Sequence, residues 1–116
     1  MPREFSRSAR VASQMQRELA ELLRTEVKDP QLGMITVSDL EITRDLSVAT
    51  VFVSFFGGTQ PVPRALALLA GRAPHLRHEL GRRMRLRALP ELRFAYDDSI
   101  ERGFRMDAIL EDLKDP

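Results

Sequence analysis

Hydrophobic residues recur at steps of three and four between Ser8 and Lys28, which predicts an amphipathic helix over that range. Its apolar stripe consists of Val11, Met15, Leu19, Leu22, Leu23 and Val27. A second, mostly basic stripe consists of Arg10, Gln14, Arg17, Glu21, Arg24 and Lys28. Asp29 and Pro30 end the predicted helix, because the residue before a proline is pushed out of helical conformation, and Gly33 completes a turn.

Two strands are predicted next. Residues 34–43 are rich in β-branched side chains, but their apolar positions change parity halfway. This change predicts a β-bulge near Ser38 and Asp39. Residues 49–55 alternate between apolar and polar or aromatic side chains, which predicts an antiparallel hairpin partner for the first strand.

A loop rich in Gly and Pro over residues 57–63 separates the hairpin from a helical segment that opens at Ala65. Pro74 lies inside the continuing helical pattern. A proline there removes a backbone donor and clashes with the preceding turn, so we expect a kink or break between Gly71 and Pro74. We expect the helix to resume at His75 and to continue until Pro90 stops it.

The last third of the chain predicts a third strand and a final helix. Residues 92–96 alternate in the way that a half-buried strand does. Asp97, Asp98 and Ser99 are residue types that cap helices, and we expect a short C-terminal helix and tail over about 99–116. The order α, β, β, α, α, β plus a C-terminal helix predicts one α+β domain over residues 1–116, with helices packed on a three-stranded sheet.

Length and composition agree with one globular domain. The chain has 116 residues, of which 43% are hydrophobic and 30% charged. It contains no Cys, which excludes disulfides and thiolate metal sites and favours a reducing compartment. No run of 18 apolar residues and no signal-peptide pattern occurs, so we expect a cytoplasmic protein.

The formal net charge of +1 hides a strong local asymmetry. Residues 72–93 contain seven Arg against two Glu, whereas residues 94–116 are acidic. Cations near a helix C-terminus gain roughly 0.3 to 1 kcal/mol from the backbone dipole, which explains one or two of these arginines. The presence of seven arginines in so short a segment favours phosphate binding, because the planar guanidinium group suits bidentate contacts with phosphate.

The predicted RNA-binding side chains are therefore the basic residues of this segment and two arginines of the first helix. They are Arg72, His75, Arg77, Arg82, Arg83, Arg85, Arg87 and Arg93, together with Arg10 and Arg17. Phe52, Phe55 and Phe56 suggest a stacking platform, but only alternate strand residues face solvent. We expect these phenylalanines to pack in the core, with Phe52 as the exception.

Catalytic and metal sites are disfavoured by the same sequence. His75 and His78 lie one helical turn apart, but no third ligand and no HExxH pattern accompanies them. Asp97 and Asp98 lie between a strand and a helix, where helix capping explains them better than acid–base catalysis. Neither GxxxxGK[ST] nor GxGxxG is present. We expect no catalytic residue, no metal and no cofactor.

A set of short stretches occurs together and in order along the chain: Arg10-Val11, Asp29-Pro30-Gln31-Leu32-Gly33, Thr36-Val37, Asp45-Leu46, Val51-Phe52-Val53-Ser54, Leu80-Gly81-Arg82-Arg83-Met84-Arg85-Leu86-Arg87, Pro90-Glu91-Leu92-Arg93-Phe94, Asp97-Asp98-Ser99, Gly103 and Met106. Through these stretches, nearly the whole chain resembles the bacterial ribosome-binding factor A family, whose members assist assembly of the small ribosomal subunit. It implies a type-II KH-like domain. KH domains ordinarily clamp RNA with a GxxG loop, which this chain lacks. The family's Ala-x-Gly kink falls on Arg72, Ala73 and Pro74, where this chain departs from the pattern.

The resemblance also implies a function. It predicts a monomeric factor that binds free, immature 30S subunits and 16S ribosomal RNA. This factor is expected to assist late rRNA processing, notably in the cold, without catalysing a reaction and without a cofactor. Other assembly factors are further expected partners. Three alternatives stay open at this point: a KH-like module that binds single-stranded RNA outside the ribosome, a metal-dependent nuclease using His75, Asp97 and Asp98, and a protein-interaction domain.

Overall fold

A computed structural model of the protein describes residues 7–98. Its elements follow the predicted order. They are α1 (Arg7–Glu26), β1 (Gly33–Ile42), β2 (Val48–Gly57), α2 (Val62–Ala70), α3 (Ala73–Met84) and β3 (Glu91–Tyr96). The predicted C-terminal helix lies outside the described residues. Among residues 7–98, no helix is both long enough and apolar enough to span a membrane.

The three strands form one sheet in the order β1-β2-β3. β1 and β2 pair as an antiparallel hairpin, and their register shifts between Val37 and Asp39, which confirms the predicted bulge. β3 joins the other side of β2 in parallel, with Val51 opposite Phe94. The parallel pairing follows from the topology, because a chain that leaves β2 and returns through α2 and α3 arrives in the same direction.

The helices cover one face of this sheet, and the core lies between the two layers. Ala49, Val51 and Val53 of β2 are fully buried there. The predicted apolar stripe of α1 supplies Met15, Leu19, Leu22 and Leu23, all buried. α3 contributes Leu76, Leu80 and Met84, as its spacing predicts. We expected Phe56 to pack in the core, and this was wrong, because its side chain is 76% exposed. Phe56 and Phe52 are four residues apart on β2, so both side chains point to the face of the sheet that the helices do not cover.

α2 and α3 both begin at earlier residues than we predicted, and prolines lie at their first positions. Pro61 caps α2 and Pro63 lies in its first turn, so the helix begins before Ala65. Pro74 likewise lies in the first turn of α3 instead of before the helix. Proline is tolerated there because the first turn of a helix has no partner for its N–H groups.

The predicted break between Gly71 and Pro74 is confirmed, since α2 ends at Ala70 and α3 begins at Ala73. The expected end of α3 at Pro90 was wrong. The helix ends at Met84, and Arg85 adopts a left-handed conformation (φ 55°, ψ 40°) whose N–H bonds the Gly81 carbonyl. Arg85 and Arg87 therefore lie on the connection to β3 and not on the helix.

Candidate nucleic-acid interface

The break between α2 and α3 consists of two residues, Gly71 and Arg72, both in right-handed helical conformation. The Arg72 N–H donates to the Leu69 carbonyl. The chain thus changes direction within two residues. A cleft of about 370 Å³ lies beside the start of α3. Its lining residues are Ala73, Pro74, Arg77, Glu91 and Leu92.

Several of the predicted RNA-binding cations are already paired with acidic residues of α1 and the turn that follows it. Arg72 lies 3.7 Å from Asp29, and His75 lies 3.1 Å from Glu26. Arg83 reaches two carboxylates of α1, Glu18 and Glu21. These contacts hold the α2–α3 break and α3 against α1 and the turn that follows it. The acidic residues of α1 therefore stabilise the packing of α3.

Arg83 is the most strongly engaged of these cations. It lies 3.2 Å from Glu18 and 2.5 Å from Glu21, and its side chain is only 32% exposed. The hydrogen bonds that Arg83 donates to Glu21 and Glu18 raise the pKa of Arg83, and the one to Glu21 lowers the pKa of Glu21. Arg83 therefore has less capacity for phosphate than its position in the sequence indicates.

Arg77 is also occupied, by backbone acceptors. Its Nε donates to the Pro90 carbonyl at 3.0 Å and its Nη2 to the Leu89 carbonyl at 2.7 Å. Leu89 in turn packs on Gly81, where an added Cβ would lie 2.6 Å from the Leu89 Cδ1 atom. Pro90 is fully buried. These contacts fasten the connection between α3 and β3 to the body of the domain.

Three arginines at the end of α3 present their charge to solvent. Arg82 is 69% exposed and has only a 3.5 Å contact with Glu79. Arg85 and Arg87 are exposed and make no side-chain ion pair or hydrogen bond with the rest of residues 7–98. Arg77 and Leu89 hold the end of the connection that carries Arg85 and Arg87 against α3. We refer to Arg82, Arg85 and Arg87 as the α3-end cluster.

The remaining predicted residues lie elsewhere. Arg93 is paired with Glu91 at 2.8 Å on β3, and the hydrogen bond that it donates to Glu91 raises the pKa of Arg93. Arg10 and Arg17 lie on α1, together lining a small pocket on that helix. Arg17 also lines a groove between α1 and β1 with Arg24 and Lys28. The structure thus separates the predicted cations into paired residues, the α3-end cluster and a row on α1.

Sequence reasoning did not single out Arg24 and Lys28 as site residues. The signal was present, because both belong to the basic stripe of the first helix. Within the described part of the chain, no group of three or more His, Asp or Glu side chains is arranged to hold a metal ion. His75 instead pairs with Glu26.

Comparison with known proteins adds an independent finding. The family model described as ribosome-binding factor A matches residues 7–110. The ribosome-binding factor A of Thioalkalivibrio sulfidiphilus is 50% identical over 111 residues, which cover 96% of this chain and 86% of that protein.

Solved structures agree. The crystal structure of ribosome-binding factor A from Thermus thermophilus matches with a TM-score of 0.69 and 34% identity, covering 77% of this chain and 93% of that one. A Thermus thermophilus homology model fitted into the cryo-EM map of a 30S–RbfA complex matches with a TM-score of 0.68 and 33% identity, covering 78% and 96%. The α-β-β-α-α-β order is thus that of solved family members, and this chain belongs to the ribosome-binding factor A family.

Proposed function

We propose that this protein binds free, immature 30S subunits through 16S ribosomal RNA and assists the late maturation of that RNA without catalysing a reaction. Family membership supports ribosome binding, and the similarity to a chain fitted into a 30S complex supports the small subunit as the partner. We further propose that it acts in the cytoplasm as a monomer, with a role that is greatest in the cold.

The observation that carries the assignment of the site is the difference in engagement between the arginines. Arg72, Arg77 and Arg83 already have protein partners, whereas Arg85 and Arg87 have none among the described residues. An unpaired guanidinium can take two phosphate oxygens without first breaking an ion pair. The α3-end cluster is therefore the primary phosphate-binding surface.

The other predicted residues have supporting roles in this proposal. Arg72 and His75 flank the helix break, beside the cleft lined by Ala73 and Pro74, where an unstacked base can lie on an apolar wall. Arg93 extends the basic surface onto β3, and Arg10 and Arg17 extend it along α1. Arg77 and Arg83 position the surface through the contacts that they make inside the protein.

The mechanism that follows is occupancy. Phosphate contacts at a fixed cluster hold one RNA element against the domain and leave the processing reaction to other factors. Release follows when the mature subunit no longer offers the same RNA conformation, because a ligand shifts an equilibrium only by its differential affinity for the two states. Equal affinity for immature and mature subunits would contradict this step.

The experiment that tests the proposal is cosedimentation with free 30S subunits in a sucrose gradient. The test variant replaces Arg85 and Arg87 with Ala. The matched control replaces Arg44 and Arg64 with Ala, since these are also exposed arginines and their loss changes the net charge equally. We expect the test variant to lose most comigration and the control to retain it.

Raising the salt concentration separates the remaining alternatives. Phosphate contacts weaken steeply as salt rises, so comigration should decrease with salt in the unmodified protein. Salt-insensitive comigration would indicate a protein-binding domain instead. Binding to single-stranded RNA without any comigration with 30S subunits would indicate an RNA-binding module that acts outside the ribosome.

A further inference from the structure

A second surface of the domain, between α1 and β1, has features of a binding site. A groove of about 640 Å³ lies between α1 and β1. Its floor is apolar and includes Leu23, Val27, Ile35 and Val37. Arg17 and Arg24 of α1, with Lys28 just after that helix, form a basic rim. The α3-end cluster contributes no residue to this groove.

The strand that forms one wall of the groove is an edge strand. In the sheet order β1-β2-β3, one side of β1 has no strand neighbour among the described residues. An edge strand presents backbone N–H and C=O groups that can pair with another extended chain, and proteins usually block such edges with charges or bulges.

The two halves of β1 differ in how well they are protected. The half beyond the bulge carries Asp39 and Glu41, and the bulge itself interrupts regular pairing. The half that lines the groove, residues 33–37, carries no charge and no bulge. Within it, Met34 is 63% exposed. The unprotected half of the edge is thus the half that faces the basic rim.

The charge of the rim defines the class of ligand. Arg17 and Lys28 make no ion pair within residues 7–98, and Arg24 has only a 3.8 Å contact with Glu21 while its side chain is 72% exposed. Glu21 is the one acidic residue that lines the groove, and it is already bound by Arg83. The rim is therefore cationic, and its one internal ion pair among the described residues is the 3.8 Å contact between Arg24 and Glu21.

We propose that this groove binds an extended acidic peptide, which pairs with β1 as an added strand. Its backbone would bond the free edge over residues 33–37, its apolar side chains would cover the floor, and its carboxylates would meet Arg17, Arg24 and Lys28. Arg17 to Arg24 spans about 10 Å along α1, which is roughly the length of three strand residues, and Lys28 extends the rim beyond the end of the helix. An extended peptide satisfies all three features, because its backbone can continue the regular hydrogen-bond ladder of β1 over residues 33–37.

Nuclear magnetic resonance on the full-length, ¹⁵N-labelled protein tests this proposal. The probe is an eight-residue peptide in which Glu and Val alternate. We expect its addition to shift the amide signals of residues 33–37 in preference to those of α3. Two control peptides should produce no such shifts: one in which Lys replaces Glu, and one with alternate backbone nitrogens methylated, which removes donors needed for strand pairing.

A variant of the rim provides the second half of the test. Lys28→Glu should weaken peptide binding about tenfold, because it replaces one attraction by a repulsion of similar size at an exposed site. Arg64→Glu is the matched control, since it reverses an exposed charge on α2, and it should change the affinity less than about twofold. If Lys28→Glu fails to fold, Arg24→Gln replaces it, with the same direction of effect.

Three results would overturn the proposal. The first is the absence of shifts at residues 33–37, or equal shifts with the Lys peptide. The second is that single-stranded oligouridylate shifts these amides and the acidic peptide does not, which would make the groove an RNA site. The third is concentration-dependent shifts without peptide, which would indicate β1 pairing between two copies. None of these three results affects the proposed function, which is tested separately by cosedimentation of the Arg85 and Arg87 variant with 30S subunits.

Discussion

Arg83 of α3 lies 2.5 Å from Glu21 of α1, and this ion pair joins the two helices. Arg82, the preceding residue, is 69% exposed with a single 3.5 Å contact to Glu79. Neighbouring arginines thus have different tasks, because a helix rotates successive side chains by about 100°. One stabilises the packing of α1 on α3, and the other belongs to the α3-end cluster.

Replacing Arg83 with Gln should lower stability and leave ribosome binding nearly unchanged. The change removes the positive charge that Glu18 and Glu21 share, and leaves two carboxylates close together without a cation. We expect a lower melting temperature and unchanged cosedimentation with 30S subunits at temperatures where the variant is folded. Arg82→Gln is the control: it should keep the melting temperature and weaken cosedimentation. The opposite pattern would show that Arg83 binds phosphate.

Arg85 offers a sharper test, because its backbone and its side chain have separable effects. A non-glycine residue in the left-handed region costs roughly 1 kcal/mol, and glycine removes this cost. Arg85→Gly should therefore raise the free energy of unfolding by about 1 kcal/mol, whereas Arg85→Ala should leave it nearly unchanged. Urea denaturation followed by circular dichroism measures both values.

The same two variants should weaken RNA binding equally, since both lack the guanidinium. Loss of one phosphate contact should reduce the slope of log K against log salt by about 0.7 to 0.9. Fluorescence anisotropy with a labelled rRNA fragment gives this slope. A normal slope in either variant would mean that Arg85 does not contact phosphate, whatever its effect on stability.

Periodicity predicted the elements of the fold well, because each of them depends on local patterns. The apolar stripe of α1 and the parity change at Ser38 correspond directly to the buried face and the bulge. The end of α3 was missed, since nothing in the spacing around Met84 shows that Arg85 turns left-handed. The favourable contacts of Leu89 and Pro90 with the domain decide that point, and they depend on residues distant in sequence.

The candidate site was predictable only as a region. Composition identified residues 72–93 as basic, but the partners of individual arginines come from other elements. Asp29 binds Arg72, and Glu18 binds Arg83, across more than forty residues of chain. Such ion pairs depend on the tertiary structure and cannot be predicted from local sequence patterns. The basic row of α1 was visible in the sequence, but its position on a groove with β1 was not.

Acid should destabilise the protein through Asp45. Its carboxylate accepts hydrogen bonds from the hydroxyls of Thr43 and Ser47, each at 2.7 Å, in the turn of the hairpin. The hydrogen bonds from Thr43 and Ser47 hold the pKa of Asp45 below its ordinary value of 3.8. The unfolded chain therefore binds a proton at higher pH than the folded one, so this contribution is present above about pH 4 and is lost as pH falls through the folded pKa.

Denaturation in urea at pH values between about 6 and 2.5 checks this expectation. Stability should fall with pH in the unmodified protein, and Glu21 should add to the fall because the hydrogen bond from Arg83 lowers its pKa below 4.5. Asp45→Asn should reduce the dependence on pH below about 4. Glu41→Gln removes an exposed carboxylate of β1 and is the control. It should leave the dependence of stability on pH below about 4 unchanged. A pH dependence identical in all three proteins would contradict the assignment to Asp45.

Arg77 should act on RNA binding only through the position of the α3-end cluster. Arg77→Met keeps much of the aliphatic stem and removes the donors to the Leu89 and Pro90 carbonyls. Loss of these charge-assisted bonds should cost about 1 to 2 kcal/mol of unfolding free energy, because the site is partly open to water. Affinity for the rRNA fragment should fall modestly, while the salt slope stays unchanged, since no phosphate contact is lost. A slope reduced as in the Arg85 variants would instead place Arg77 among the phosphate-binding residues.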